Sequence, residues 1–127
     1  YKNPPFSKNI IFNELLIDWE EPVVIVEGVF DALQEPNMIP LLGSSMSERS
    51  ILFQTLADKM PKVYMALDPD ARQKENKIIS NLLRYGLDVW KIPISGSKDV
   101  GGLSGREYQI AKEFAVQTGF DYELYNL

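Results

Sequence analysis

Two apolar stretches of this chain end in carboxylates, and these acids are the residues best suited to chemistry. The run at 64–67 stops at Asp68 and Asp70, and the run at 23–26 stops at Glu27, which Gly28 follows. Acids two residues apart at a strand end can direct their oxygens at one cation, and magnesium prefers oxygen ligands. Taken alone, the aspartate pair is also typical of a solvated turn, and Glu27 of a surface turn. Together, the three acids predict a site for a divalent metal.

The chain has no histidine and no cysteine. Nucleophile systems of the Ser-His-Asp or Cys-His kind are therefore excluded, and so are zinc sites built from cysteine and histidine. Acid–base or metal chemistry must depend on carboxylates, lysine, tyrosine or the backbone, which favours hard cations such as magnesium or manganese. Disulfides are impossible, which agrees with an expected cytoplasmic location.

Length and charge narrow the class of protein further. The 127 residues are enough for one domain, and no apolar run approaches the length of about 20 residues needed to cross a membrane. The net charge is −5, whereas a domain that binds nucleic acid mainly through its overall charge is basic. A metal-dependent catalytic domain beside a basic neighbour fits this charge better than a simple nucleic-acid-binding module. Because Tyr1 is not an initiator methionine, we expect a fragment.

Strand and helix patterns alternate along the chain and predict an α/β fold. We expect strands at 23–26, 38–42, 62–68 and 88–94, with helices at 29–34, 45–60, 70–85 and 104–119. Such alternation favours a parallel, Rossmann-like four-stranded sheet of order 2-1-3-4 with helices on both faces. Ligands bind such sheets at the carboxyl ends of the strands, where the strand order reverses. Glu27 and Asp68 are expected at that position.

Several local features of the scaffold follow from spacing. Ile11, Leu15 and Trp19 share one helical face and predict a short amphipathic helix that docks on the main body. Phe30 and Leu33 are expected to face the core from the helix at 29–34. Two capping boxes are expected at helix starts: Ser45 with Glu48, and Ser104 with Glu107. The predicted segments are a linker and docking helix at 1–21, a catalytic domain at 22–118 and a tail at 119–127.

Further charged residues fall near the same edge. Asp99 and Lys98 lie in a glycine-rich loop after the fourth predicted strand, although such loops often only turn the chain. Asp31 follows Glu27 by one turn and could equally face solvent. Arg72 and Lys91 are candidates for phosphate contacts, and Arg72, Lys74, Glu75 and Lys77 are expected on the solvent side of their helix.

The residues Val23-Val-Ile-Val-Glu-Gly-Val-Phe-Asp-Ala32 resemble the Glu-Gly-x-x-Asp signature of the Toprim domain, and Leu67-Asp-Pro-Asp-Ala71 resembles its Asp-x-Asp motif. The Toprim domain is shared by bacterial-type primases, type IA and type II topoisomerases, certain nucleases and a recombination protein. The Lys98-Asp99 loop and the leader at 3–13 resemble the primase branch most, in particular phage primases. The resemblance covers about residues 3 to 118.

This resemblance implies a Toprim fold and a role for each matched residue. Glu27 would be the catalytic acid/base and a metal ligand. The other implied positions are the metal ligands Asp68 and Asp70, the supporting acids Asp31 and Asp99, and Lys98 near the incoming nucleotide or template. The implied cofactor is Mg²⁺ or Mn²⁺. Many primases place another acid just after the position of Asp99, whereas Val100-Gly101-Gly102 follows here.

The implied function is the catalytic core of a DNA primase, a DNA-directed RNA polymerase that makes primers for DNA replication in a bacterial or phage-infected cell. Its expected partners are a single-stranded DNA template, ribonucleotides, a replicative helicase, and the zinc-binding and basic primase subdomains. Because those subdomains are not among these residues, the fragment is expected to be weak or inactive alone. The alternatives are a Toprim nuclease or topoisomerase fragment that cleaves DNA, and a non-catalytic Toprim scaffold. None of the six tyrosines lies at an obvious strand end beside the acids, which disfavours the topoisomerase.

Overall fold

One five-stranded sheet forms the centre of the molecule. The computed structural model describes residues 9–94 and 99–119. The strands are β1 (Val23–Val26), β2 (Met38–Pro40), β3 (Val63–Met65), β4 (Val89–Lys91) and β5 (Val116–Gln117), and their order is β2-β1-β3-β4-β5. The first four are parallel, which confirms the predicted α/β class and the order 2-1-3-4.

The expected count of four strands was wrong, because β5 adds a fifth. It pairs antiparallel with β4, with Gln117 opposite Trp90 and Val116 opposite Lys91. Both residues of β5 are exposed, so this strand carries no apolar pattern that would reveal it in the sequence.

Three α-helices and four short 3-10 turns accompany the strands within residues 9–94 and 99–119. The helices are α1 (Ile51–Lys59), α2 (Arg72–Arg84) and α3 (Gly105–Glu113), and the turns are Glu14–Leu16, Phe30–Leu33, Pro69–Ala71 and Val100–Gly102. The sheet carries helices on both faces. Val23 and Ile25 pack with α1 and α2, whereas Val24 and Val26 pack with Tyr108 of α3. Every residue of β1 is buried, as expected of a central parallel strand covered on both sides. Among the described residues, no helix combines the length and apolar character required to cross a membrane.

One of the two predicted capping boxes is confirmed. At α3 the Ser104 hydroxyl accepts from the Glu107 amide, and the Glu107 carboxylate accepts from the Ser104 amide. The box predicted at Ser45 and Glu48 was wrong, because α1 begins at Ile51 with Ser50 as its N-cap. The Glu48 carboxylate instead accepts from Arg84 and from the Tyr85 hydroxyl.

The predicted docking helix was also wrong. Only the 3-10 turn Glu14–Leu16 forms there, and Leu15 is 99% exposed. The segment is attached to the body by Ile11 and Ile17, which are buried, and by a hydrogen bond of 2.6 Å from Asn13 Nδ2 to the Met38 carbonyl. A bond to β2 thus replaces the helical face that the spacing indicated.

The short helix expected at 29–34 is the 3-10 turn Phe30–Leu33, and it has the opposite orientation to the one predicted. Phe30 and Leu33 are 80% and 73% exposed, and Asp31 is buried between them. The polar residue faces inward because it has hydrogen-bond partners there.

Candidate metal centre

The carboxyl ends of β1, β3 and β4 meet at one edge of the sheet. Hydrogen bonds continue the pairing past the strands: the Ala66 amide donates to the Ile25 carbonyl and the Ile92 amide to the Met65 carbonyl, both at 2.9 Å. The chain then leaves the sheet at Glu27 after β1 and at Asp68 after β3. Pro69 has no amide hydrogen and begins a 3-10 turn, which ends the pairing at this point.

Three aspartates form a cluster at this edge. Asp31, Asp68 and Asp99 each place one carboxylate oxygen so that all three oxygens lie within 4.8 Å of one another. Asp31 is buried, Asp68 is half-buried and Asp99 is exposed, so the cluster opens towards solvent on one side. Oxygen ligands at this spacing suit a hard divalent cation. We call these three residues the acid cluster.

Asp31 is held in the acid cluster by two backbone amides, one three residues before it and one 70 residues after it. Its Oδ2 accepts from Gly28 at 2.9 Å, and its Oδ1 accepts from Gly101 at 2.7 Å. A Cβ at position 101 would lie 3.0 Å from Asp31 Oδ1 and 3.3 Å from the Phe30 carbonyl, so only glycine fits without displacement. Each carboxylate oxygen keeps a further lone pair, so Asp31 can both hold the loop and face a cation.

Asp99 is fixed by its own turn. Its Oδ1 accepts from the Gly102 amide at 2.8 Å, which makes it the N-cap of the turn Val100–Gly102. Gln34 Nε2 donates to the Val100 carbonyl at 3.0 Å and to the Leu103 carbonyl at 2.8 Å, which fixes the loop against the turn that carries Asp31. Gly101 and Gly102, which follow Asp99 closely, thus supply the amides that hold Asp31 and Asp99.

Glu27, Asp68 and Asp70 line one cleft of about 620 Å³, which we call the metal cleft. Glu27 Oε1 accepts from Lys74 Nζ at 2.7 Å across the cleft. The three acids singled out first in the sequence therefore lie around one space. Of these three, Asp68 alone also belongs to the acid cluster, in which Asp31 and Asp99 accompany it. Lys98 lies outside the described residues.

The electrostatics of the edge favour a bound cation. Burial, followed by the charges of Asp31, Asp99, Glu27 and Asp70, raises the pKa of Asp68 to about 6. Asp68 Oδ1 and Glu27 Oε2 are buried and lack a hydrogen-bond partner within the described part of the chain. Unpartnered buried oxygens are costly, and a divalent cation would satisfy both the charge and the lone pairs. The residues present therefore fit a divalent metal ion.

A buried acid on α2, Glu75, supports the segment that leads to the metal cleft, although it was expected on the solvent side of its helix. Glu75 is only 2% exposed, and its Oε2 accepts from the Leu67 amide at 2.9 Å. Its Oε1 pairs with Lys91 Nζ at 2.7 Å. Lys91, a candidate for phosphate contact, is thus engaged in a structural ion pair. The helical spacing could have indicated that Glu75 is buried, because position 75 precedes the buried Ile78 and Ile79 by three and four residues.

Comparison with known protein families finds no match to this chain, and neither does comparison with curated proteins. Among solved structures, the fold is similar to the crystal structure of the Aquifex aeolicus primase (zinc-binding and RNA polymerase domains), with a TM-score of 0.67 and 20% sequence identity. The match covers 89% of this chain and 32% of the primase chain. The similarity shows that the two proteins share an α/β fold, and the chain spans about a third of that structure.

Proposed function

We propose that this chain is the Toprim catalytic core of a DNA primase, in which a divalent metal assists nucleotidyl transfer during primer synthesis. The observation that carries the proposal is the environment of Asp68 at the carboxyl edge of the sheet. Its pKa is raised, four acids are its neighbours, and one of its buried oxygens has no hydrogen-bond partner in the described part of the chain. The fold similarity to a primase and the Glu-Gly-x-x-Asp and Asp-x-Asp motifs support this choice of reaction.

Asp68 and Asp70, with Glu27, are the proposed ligands of Mg²⁺ or Mn²⁺, and Asp31 and Asp99 support them. When bound, the metal supplies positive charge where negative charge develops on the transferred group. The acids position the reacting groups around it. Without a cation, the same acids would repel a phosphate, so the metal and the negatively charged substrate are expected to bind together.

In the proposed reaction the 3′-hydroxyl of one ribonucleotide attacks the α-phosphorus of the next, and pyrophosphate leaves. Glu27 is the proposed general base for the hydroxyl proton. Lys74 pairs with Glu27 Oε1, whereas Glu27 Oε2 has no hydrogen-bond partner among the described residues and is left to accept a proton. Lys74 thus orients the base instead of neutralising both of its oxygens.

The remaining parts of the proposal concern the complete protein. The catalytic domain corresponds to residues 22–118, and it works in the cytoplasm on a single-stranded DNA template with ribonucleotides. The zinc-binding and basic subdomains and a replicative helicase are the proposed partners. Because the chain has a net charge of −5, we expect it to make little or no primer alone.

Metal binding and product analysis test the proposal. Calorimetry should show that manganese binds the chain at millimolar concentration or below, and that Asp68→Asn removes most of this binding. In the complete protein, labelled single-stranded DNA with ribonucleotides should yield new RNA primers. Nicked DNA without added nucleotides would instead indicate a Toprim nuclease or topoisomerase. Absence of manganese binding would favour a non-catalytic scaffold and reject the proposed chemistry.

A further inference from the structure

A second cleft lies next to the metal cleft along α2. It has a volume of about 360 Å³ and is lined by Ser45, Ser47, Glu48, Arg49, Lys77 and Asn81. Lys74 lines the metal cleft and Lys77 the second cleft, so one helical turn separates them on the same side of α2. The loop before α1 joins them as well, since its Leu42 amide donates to the Glu27 carbonyl at 2.9 Å.

The loop that forms the outer wall of the second cleft has an unusual backbone. Leu42 and Met46 have φ angles of 55° and 46°, a region that residues other than glycine seldom adopt. Met46 is nonetheless 1% exposed, and it packs in the same core cluster as Ile78 and Leu82 of α2. Backbone strain of this kind persists where the surrounding structure fixes it, and it is concentrated at binding sites. The wall of the cleft is therefore held in a defined shape.

The charge of the second cleft is opposite to that of the chain. Arg49 and Lys77 are exposed, and neither pairs with a carboxylate within residues 9–94 and 99–119. Glu48, the acid of the cleft, accepts from Arg84 Nη2 and from the Tyr85 hydroxyl, both at 3.1 Å, so its charge is compensated. In a chain with a net charge of −5, two uncompensated cations in one cleft are a local positive site.

We infer that the second cleft binds the phosphate backbone of a single nucleic-acid strand whose reacting end lies in the metal cleft. This inference rests on the proposed function. Lys77 lies one turn along α2 from Lys74, whose own charge is paired with Glu27, and Arg49 lines the same cleft as Lys77 from the loop before α1. Two cations outside the metal cleft suit phosphates of a strand further from its reacting end, whereas the phosphates of one nucleotide would all lie near the metal. The hydroxyls of Ser45 and Ser47 and the Asn81 amide add uncharged donors of the kind that contact phosphates.

The test compares two double variants of equal charge. R49Q/K77Q removes both cations of the second cleft, and K59Q/R106Q removes two exposed cations on α1 and α3, outside both clefts. Binding of a fluorescein-labelled single-stranded oligonucleotide is followed by anisotropy in magnesium over a series of salt concentrations. Each phosphate contact to a single strand contributes about 0.7 to the slope of log K against log salt. R49Q/K77Q should therefore lower the magnitude of this slope by about 1.4, and K59Q/R106Q should leave it near that of the wild type.

Each outcome decides the question. Equal slopes for R49Q/K77Q and K59Q/R106Q, or no oligonucleotide binding by the wild type, would overturn the inference. Competition with a ribonucleoside triphosphate distinguishes the two sources of phosphate: if it displaces the labelled strand from the wild type but not from R49Q/K77Q, the second cleft is a nucleotide site and the strand assignment is wrong. Manganese calorimetry on the same variants keeps the proposed function separate, because both should bind manganese as the wild type does.

Discussion

The Glu75 carboxylate accepts a hydrogen bond from the Leu67 amide at 2.9 Å, and so a buried acid on α2 holds the residue immediately before Asp68. The same carboxylate pairs with Lys91 of β4 at 2.7 Å. Glu75 therefore connects the helix that follows the acids with two of the strands that lead to the edge. Glu75 thus fixes the point at which the chain leaves the sheet after β3. It does not line the metal cleft.

Replacing Glu75 with alanine should cost about 3 kcal/mol in the free energy of unfolding, because it leaves Lys91 and the Leu67 amide without their partner. Urea denaturation of the metal-free chain measures this cost. The double variant E75A/K91A should lose less than the sum of the single variants, since the uncompensated lysine is then absent as well. Additive losses would show that the two side chains do not interact.

Gly101→Ala should weaken manganese binding about ten-fold, which corresponds to roughly 1.4 kcal/mol. The new Cβ would lie 3.0 Å from Asp31 Oδ1, so the loop that carries Asp99 must move away from the acid cluster. Gly105→Ala is the matched control, because a Cβ at position 105 meets no atom within 4 Å. Equal manganese affinities for the two alanine variants would contradict the role of Gly101 as a close-packed support.

The free energy of unfolding of the metal-free protein should depend on pH in part through the titration of Asp68. Burial and neighbouring acids raise the pKa of Asp68 from 3.8 to about 6, so the folded state holds this proton more tightly than the unfolded chain. The contribution of Asp68 to stability is therefore present in acid and is lost as pH rises between these two values. The difference in unfolding free energy between wild type and Asp68→Asn should change over this interval and stay constant above it. A flat difference would show that the pKa of Asp68 is ordinary.

Asp68→Asn and Asp70→Asn should each weaken manganese binding by ten-fold or more, a loss of at least about 1.4 kcal/mol, while the far-UV circular dichroism stays unchanged. The fold is expected to survive because Asp70 is exposed and Asp68 only half-buried. Relief of charge repulsion should also make metal-free Asp68→Asn more stable than the wild type at pH 7. Asp58→Asn, at an exposed position on α1, is the control for loss of one negative charge. Unfolding of either cleft variant would mean that the acids are structural.

Glu27→Gln should retain part of the manganese affinity and lose catalysis. Loss of a general base lowers rates by about 100-fold or more, which primer synthesis by the complete protein can measure. Glu21→Gln, an exposed acid just before β1, is the control. A near-normal rate for Glu27→Gln would assign the proton transfer to another group and leave Glu27 as a ligand alone.

The strand order and the positions of the acids were predictable from the sequence because the apolar runs are continuous and end abruptly. The run at Val23–Val26 could only be a strand buried on both faces, and the strand order then brought Glu27 and Asp68 to one edge. Short elements were less predictable. The 3-10 turn at Glu14–Leu16 replaced an expected helix because side-chain bonds to β2, such as that of Asn13, decide the path of this segment.

The burial of two acids could not be assigned from the sequence because each depends on a partner brought close by the tertiary structure, Gly101 for Asp31 and Lys91 for Glu75. Spacing does not show whether Asp31 faces solvent, and for Glu75 it indicates the inner side of α2 but no partner for the charge. Asp31 is buried because amides of Gly28 and Gly101 meet it, and Glu75 because Lys91 and the Leu67 amide do. Burial of a charge depends on compensation by groups that only the tertiary structure brings within reach. The motif resemblance pointed to Asp31, whereas only helical periodicity pointed to Glu75.

The bond between Asp31 and the Gly101 amide joins positions 70 residues apart. Closing a loop of this length costs chain entropy, and the bond can form only in a chain that extends to position 101. A nascent or truncated chain that ends before position 99 would have the Asp-x-Asp motif but would lack Asp99 and the Gly101 amide that holds Asp31, so its acid cluster would be incomplete. Cation uptake would then report that synthesis and assembly of the whole domain are complete.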